Sequence, residues 1–233
     1  MVRVENLTKI YETENGPVTA LRNVSLSLSA GSFVALLGKS GCGKTTLLRL
    51  IASLEKPSEG EVFCSVPRRH MGYVFQEARL MPWLSVADNI RFAELGGVFS
   101  GGNVDPILRT LGLSEFSKAF PNELSGGMAQ RVALGRTLFR KPHLILMDEP
   151  FGALDWFTRK ALQSDLLRLW QEGGKTILFV THDIDEALLL ADHVVVLREG
   201  EVTDRFQVES PHPRKSAELY SLRERILLSI EKI

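Results

Sequence analysis

The chain has 233 residues, of which 44% are hydrophobic and 24% charged, with 28 Lys plus Arg balancing 28 Asp plus Glu. That length suits one domain with a sizeable lobe attached, and the composition excludes disordered, collagen-like and coiled-coil classes. A formal charge of zero argues against a nucleic-acid binder, which carries a basic excess. The only two cysteines, Cys42 and Cys64, make neither a disulfide framework nor a metal cluster and fit a reducing compartment. The polar N-terminus is not a secretory signal. The apolar run Ala187–Leu197 is interrupted by Asp192 and His193 and is far shorter than the roughly 20 residues that cross a bilayer. The chain therefore reads as soluble.

Val2–Thr8 and Val24–Leu28 alternate apolar with polar residues, as half-buried strands do, and predict an antiparallel edge layer. Phe33–Leu37, FVALL, is a continuous apolar run of the kind buried on both faces of a sheet. Directly after it comes Gly38–Thr45, GKSGCGKT, which fits G-x-x-x-x-G-K-[ST] in full and leads into a helix over Thr46–Ser53. Gly38, Gly41 and Gly43 permit a tight turn whose N–H groups point inward, and the following helix dipole suits a polyphosphate. The segment Gly38, Lys39, Ser40, Gly41, Cys42, Gly43, Lys44, Thr45 and Thr46 is thus the candidate ATP-binding loop. Lys44 would reach the β- and γ-phosphates and the Thr45 hydroxyl would bind Mg²⁺. Cys42 reads as a residue that fits the loop rather than one that carries chemistry.

Tyr73–Phe75 reads as another buried strand. From Gln76 to Leu146 strand signals vanish, and helical stretches are separated by Gly96–Gly97, Gly101–Gly102 and Pro121. This predicts a helical subdomain at about 77–140 inserted into a core of 1–76 and 141–210, with a C-terminal helix at about 214–233. Leu144–Glu149, LILMDE, then delivers two carboxylates to a strand end, where ligands collect in open α/β sheets. Alone, such a pair is a solvated loop start. Downstream of a phosphate loop, Asp148 would hold Mg²⁺ through water and Glu149 would polarise an attacking water. Strands at Ile177–Val180 and Val194–Leu197 alternate with helices carrying Leu162, Leu166, Leu169 and Trp170, and Ile184, Ala187, Leu188 and Ala191. The fold class expected is α/β, a mostly parallel sheet flanked by helices.

Leu124–Met128, LSGGM, followed by Ala129-Gln130-Arg131, resembles the signature of the ATP-binding cassette (ABC) ATPases, and the resemblance covers nearly the whole chain. It implies a P-loop NTPase core with an inserted helical subdomain, residues 1–233 forming a single nucleotide-binding domain. Ser125 can cap a helix whose first N–H groups, at Gly126 and Gly127, are bare, a second anion site. In the family such sites meet when two cassettes pair head to tail. Leu124, Ser125, Gly126, Gly127 and Met128 would then face the ATP of a partner, either a second copy of the chain or a paralogous cassette. The resemblance also makes Gln76 the Q-loop glutamine, on Mg²⁺ and the attacking water. Ala153, Leu154 and Asp155 become the D-loop, His182 the switch histidine on the γ-phosphate, and Tyr11 the aromatic stacked on adenine. The implied catalytic set is Glu149, His182, Gln76 and Lys44, the Mg²⁺ ligands are Thr45, Gln76 and Asp148, and the cofactors are ATP and Mg²⁺. Two departures stand out. Met128 occupies a place where Gln is commoner, and Gly60–Gln76 is short enough to suggest that the edge layer lacks part of a strand.

The absence of an appended regulatory domain or membrane span implies two separate transmembrane permease subunits, with a periplasmic or extracellular solute-binding protein in the complex. The chain would sit peripherally on the cytoplasmic face of the membrane, in contact with it through the permease only, and with no nucleic acid. Glu77–Trp83, EARLMPW, either lines the permease groove or contributes to the core. This segment and the signature region look most like the cassettes of nitrate, sulfonate and taurine importers. The alternatives are an export or lipid-extraction cassette, a nontransport ABC ATPase of DNA repair or translation, and a phosphate-loop kinase. Repair types need a long coiled coil between the phosphate loop and the signature, translation types carry two cassettes per chain, and a kinase needs no LSGGM.

Overall fold

The alternation of the N-terminal segment contains a phase slip whose cause is in the backbone. In the computed structural model, which describes residues 1–92, 103–152, 154–214 and 219–231, strand β1 (Val2–Thr13) buries Val2 and Val4 and then Leu7. Strand β2 (Gly16–Leu28) likewise buries Leu21 and then Val24, Leu26 and Leu28. The switches fall at Asn6 and Asn23, each at φ 49°, a left-handed conformation that asparagine tolerates. These irregularities shift the antiparallel register of β1 on β2 and keep both apolar sets on one face. β4 (Glu59–Cys64) pairs with the other edge of β1, giving a three-stranded sheet ordered β2-β1-β4. The edge layer thus draws its third strand from the stretch read as short.

This sheet belongs to the first of two compact units, Met1–Pro67 with Thr176–Ile233. Strands β3 (Phe33–Leu37), β7 (Thr176–Thr181) and β8 (His193–Arg198) run parallel there, with β3 between the others. Every residue of β3 and β7 is buried, which is why both are continuous apolar runs. β9 (Glu201–Gln207) returns antiparallel to β8 through Glu199 and Gly200, both at positive φ, the turn chemistry a tight hairpin needs. Helices α1 (Lys44–Ile51), α6 (Ile184–Leu190) and α7 (Tyr220–Glu231) complete the unit. α7 packs on α6, β8 and β9, burying Ile226 and Ser229, with the Arg225 guanidinium 5.6 Å from the Phe206 ring centre.

The second unit spans Arg68–Lys175. Its strands β5 (Met71–Val74) and β6 (Leu144–Asp148) pair in parallel. Between them lie helices α2 (Val86–Arg91), α3 (Asp105–Thr110) and α4 (Gly126–Phe139), and after them α5 (Trp156–Gly173). Among the described residues between 77 and 140 there is no strand. α4 rests directly on β5, because a Cβ at Gly72 would lie only 2.4 Å from Thr137 Cγ2. Gly174 ends α5 at φ 56°, the left-handed cap that glycine supplies most cheaply.

Arg214 ties the segment before α7 to the first unit. Its side chain is 2% exposed and donates to the carbonyls of Ser210, Leu188 and Ala191 at 2.6, 3.0 and 2.6 Å and to the Asp192 carboxylate at 3.2 Å. Arg214→Met leaves these acceptors without a donor and should lower unfolding stability by roughly 2–4 kcal/mol in a urea titration; an unchanged midpoint would contradict the assignment. Beside it, burial and then the Arg214 charge hold the His212 imidazole below its ordinary 6.5, against the pull of Asp192. The folded state therefore binds this proton less readily than the unfolded chain, so stability is full above about pH 6.5 and declines as the pH falls below it. His212→Gln should flatten that decline between about pH 7 and pH 5, read as urea midpoints across the range.

Candidate functional site

The turn from β3 into α1 leaves no room for a side chain at Gly38 or Gly43. A Cβ at Gly38, φ 159°, would lie 2.1 Å from the Leu197 carbonyl oxygen and 2.8 Å from Cys42 Sγ. One at Gly43, φ 103°, would lie 2.4 Å from the Ala20 carbonyl oxygen and 2.7 Å from Leu21 Cδ2. The Gly200 N–H donates to the Cys42 carbonyl at 3.2 Å, so β2, β8 and the β8–β9 turn all wall the loop. Gly43 is also the N-cap of α1; no side chain caps this helix and its first turn holds no acidic residue. Such an end presents backbone N–H groups and a positive dipole to an anion.

Lys44 is 5% exposed, and its Nζ donates to the carbonyls of Gly38 at 2.8 Å and Lys39 at 2.9 Å. Lys39, Ser40 and Gly41 are exposed, and Thr45 and Thr46 are half-buried in the first turn of α1. Burial pushes the Cys42 thiol up, only partly opposed by the Lys44 charge 3.9 Å away. A neutral thiol packed under Gly38 is a filler. The Tyr11 hydroxyl bonds the Glu55 carboxylate and lies 3.5 Å from Thr46 Oγ1, so Tyr11 is brought to the same helix turn. Burial first, then the Glu55 bond, push its phenol up, and the Lys9 ammonium lies 4.9 Å from its ring centre. Leu37 pairs with Thr181, which aligns the ends of β3 and β7 and sets exposed His182 on the same edge as the loop. The next residue, Asp183, caps α6 by accepting from Asp185 N and Glu186 N at 2.8 and 3.1 Å.

In the second unit β6 ends on Asp148, 5% exposed. Glu149 follows, half-buried and at φ 44°, a sparsely populated conformation for a residue with a Cβ and of the kind stored at functional sites. Its carbonyl accepts from Gly152 N at 3.2 Å. Gln76 is exposed just beyond β5, and the backbone around it is held from α4. Gln130 Nε2 donates to the Phe75 carbonyl at 3.2 Å, and Arg136 donates to the carbonyls of Ala78 and Arg79 at 3.0 Å each. Burial holds the Arg136 guanidinium below its usual range. Asn89, fully buried, accepts from Met81 N and donates to the carbonyls of Met81, Leu84 and Ser85.

Ser125 is the N-cap of α4, its hydroxyl accepting from Met128 N at 3.2 Å. The first turn of α4 has no acidic residue. Gly126 is open, whereas a Cβ at Gly127 would lie 2.6 Å from Thr158 Cγ2 and 3.5 Å from Leu154, so α4 meets the start of α5 there. Leu124 is half-buried beside this end. Asp155 caps α5 through Phe157 N and Thr158 N at 3.0 and 3.1 Å. These bonds, that with the Thr158 side chain first, hold its carboxyl below the usual range. Ala153 lies outside the described residues.

Within the first unit the structure therefore joins the phosphate loop, Tyr11 and the strand end carrying His182. Within the second it joins the signature to Leu154 and the D-loop cap, and α4 to the backbone around Gln76. Sequence reasoning missed Asn89, Gln130 and Arg136 as organisers. Only Asn89 left a trace, a polar residue on the buried face of α2 between Val86 and Ile90. Among the described residues no cluster of three or more His, Cys, Asp or Glu could hold a metal. Within their own units, the Thr45 hydroxyl and the Asp148 carboxylate each offer hard oxygen of the kind that suits Mg²⁺, which takes most of its ligands from phosphate and water.

The sequence model described as ABC transporter matches residues 21–152, more than half of the chain. The chain belongs to the ABC transporter family. This ABC chain is 40% identical over 240 residues to the aliphatic sulfonates import ATP-binding protein SsuB of Bacillus cereus, covering 99% of the chain and 96% of that protein. It is 45% identical over 239 residues to the uncharacterized ABC transporter ATP-binding protein MJ0412 of Methanocaldococcus jannaschii, covering 97% and 90%. Among solved structures it is similar to a dimeric post-hydrolysis state of the ATP-binding cassette MJ0796 bound to ADP and Pi, with a TM-score of 0.81, 34% identity, and 91% of the chain and 100% of the other covered. The ABC cassette is thus an α/β ATPase. Gly43→Ala would force a Cβ against the Ala20 carbonyl in a left-handed position. Backbone strain of roughly 1–3 kcal/mol at the phosphate loop should weaken ATP binding about tenfold or more, measured with a fluorescent ATP analogue. Unchanged affinity would mean that the loop binds ATP in another conformation.

Proposed function

We propose that this ATPase drives import of a small organic sulfonate or a related anion such as taurine or nitrate through separate permease subunits. The observation that carries the reading is end-to-end similarity to a sulfonate-import ATP-binding protein, 40% identical with 99% of the chain and 96% of the relative covered. Among the described residues no helix is long and apolar enough to cross a membrane, so two transmembrane permease subunits supply the path. The chain sits on their cytoplasmic side, paired with a second copy of itself or a paralogous cassette, and an outer solute-binding protein delivers the solute.

In this reading the uncapped N-terminal turn of α1 takes the phosphates of ATP, and Tyr11 stacks on the adenine. The Lys44 ammonium exchanges the carbonyls of Gly38 and Lys39 for the β- and γ-phosphate oxygens. Mg²⁺, held by Thr45, Gln76 and Asp148, would supply charge neutralisation on those oxygens. Glu149 takes the proton of the attacking water, His182 contacts the γ-phosphate, and the reaction is in-line displacement of ADP by water, governed by positioning and charge. The capped but otherwise bare end of α4, at Ser125, Gly126 and Gly127, meets the γ-phosphate of the ATP held by the partner cassette, and Leu154 and Asp155 communicate between the two.

Glu149→Gln keeps the loop intact and removes the base. It should bind ATP and turn over about 100-fold more slowly, in a phosphate-release assay; near-normal hydrolysis would sink the assignment. The same variant, tagged and pulled down from detergent-solubilised membranes with ATP and Mg²⁺, should bring a multi-span permease and a solute-binding protein. A permease without a binding protein would favour export, and soluble partners alone would overturn transport.

A further inference from the structure

Glu55 follows the end of α1 and belongs to none of the motifs that carry the ATPase chemistry. Its side chain is only 22% exposed, and both carboxylate oxygens are engaged. Oε1 faces Arg49 Nη1 of α1 at 3.3 Å. Oε2 accepts from the Tyr11 hydroxyl on β1. A carboxylate thus stands between the helix that leaves the phosphate loop and the aromatic residue proposed for adenine. Burial first, and then this bond, push the phenol up, so it remains a donor at neutral pH.

The backbone is fixed on both sides of the pair. Lys9 Nζ donates to the Lys56 carbonyl at 2.9 Å, and its ammonium lies over the Tyr11 ring. Ile10 N donates to Ser58 Oγ at 3.0 Å, and Ser58 N to the Thr8 carbonyl at 2.9 Å. Residues 55–58 are thereby laced to residues 8–11 of β1, so Glu55 meets Tyr11 from a set position. A half-buried tyrosine whose hydroxyl is unheld can turn about its side-chain torsions, and ordering it on binding lowers affinity. A ring already held in one orientation avoids that loss. We propose that Glu55 is a positioning residue for the nucleotide: it clamps the Tyr11 hydroxyl so that the ring is set in advance for adenine, and it ties that ring to α1 through Arg49. Given the proposed stacking of Tyr11 on adenine, on which this role rests, Glu55 acts on the nucleotide without touching it.

The test compares MgATP with magnesium tripolyphosphate, which has the phosphates but no base, in calorimetric titrations of the full chain. Glu55→Ala should weaken ATP binding about fivefold, the order of ordering one side chain, and leave tripolyphosphate affinity unchanged. Tyr11→Phe keeps the ring and removes the clamped hydroxyl. It should lose about as much, and adding it to Glu55→Ala should cost nothing further, since both break one bond. Glu55→Gln keeps an acceptor for the phenol and should fall between the wild type and Glu55→Ala. Retained tripolyphosphate binding shows that each variant is folded. Equal loss for ATP and tripolyphosphate in Glu55→Ala means that the residue supports α1 rather than the ring, and overturns the proposal. Tyr11→Ala separates the clamp from the stacking. If it weakens ATP binding and Glu55→Ala does not, stacking stands and the clamp fails. If Tyr11→Ala leaves ATP affinity unchanged, the stacking reading fails and the clamp falls with it.

Discussion

The first unit depends on a turn that enters α1 with no space for a side chain at either end. Gly38 abuts the carbonyl of Leu197 in β8 and Gly43 that of Ala20 in β2, so the loop cannot move without displacing both strands. Pairing of β3 with β7 and β8 fixes those neighbours. What remains adjustable is the Lys44 side chain. Its buried ammonium is satisfied by two loop carbonyls, which avoids the penalty of an unpaired buried charge. A phosphate offers shorter and stronger charge-assisted bonds to the same group. The resting structure thus keeps a cation beside a helix end that no side chain caps, and in the proposed reading an arriving anion needs only a change of partner.

In the second unit one helix does the corresponding work. The N-terminal turn of α4 carries Ser125, Gly126 and Gly127, while Gln130, one turn on, and Arg136, later still, grip the backbone from Phe75 to Arg79. Gly72 lets α4 lie flat on β5. The stretch around Gln76 and the signature turn are therefore parts of one rigid construction, and movement of α4 would be felt at both.

The parts legible in the sequence are those whose cause is local. FVALL and TILFV read as strands because both faces are buried, and GKSGCGKT announces itself by spacing alone. β9 is not legible because its residues are half-exposed and lack a continuous apolar run. β4 and the outer half of β1 escape for the same reason, and the slips at Asn6 and Asn23 break the period on which strand reading relies. Asn89, Gln130 and Arg136 do their work through partners brought close by folding, up to 58 residues away in sequence for Arg136 and Ala78. A Gln and an Arg in a helix look like solvent-facing residues until the loop they hold is in view.

The loop after Gln76 bears on where specificity can reside. The sequence leaves two readings of Glu77–Trp83 open, a partner groove or a piece of core, and Trp83 is 69% exposed while Met81 and Leu84 are half-buried. Trp83 is therefore not core. Nor does it sit on a slack loop, since Asn89 and Arg136 together hold backbone groups of Ala78, Arg79, Met81, Leu84 and Ser85. An aromatic ring presented on a fixed backbone loses little entropy when a partner covers it, and tryptophan is enriched among residues that dominate interfaces. The contacts proposed for the phosphates of ATP, by contrast, are backbone N–H groups, a lysine and hydroxyls, which recognise any nucleoside triphosphate alike. Under the proposed import reading, selectivity for a particular transport complex would come from surfaces such as this loop, so two cassettes with the same phosphate chemistry could serve different permeases by changing what the clamped segment displays.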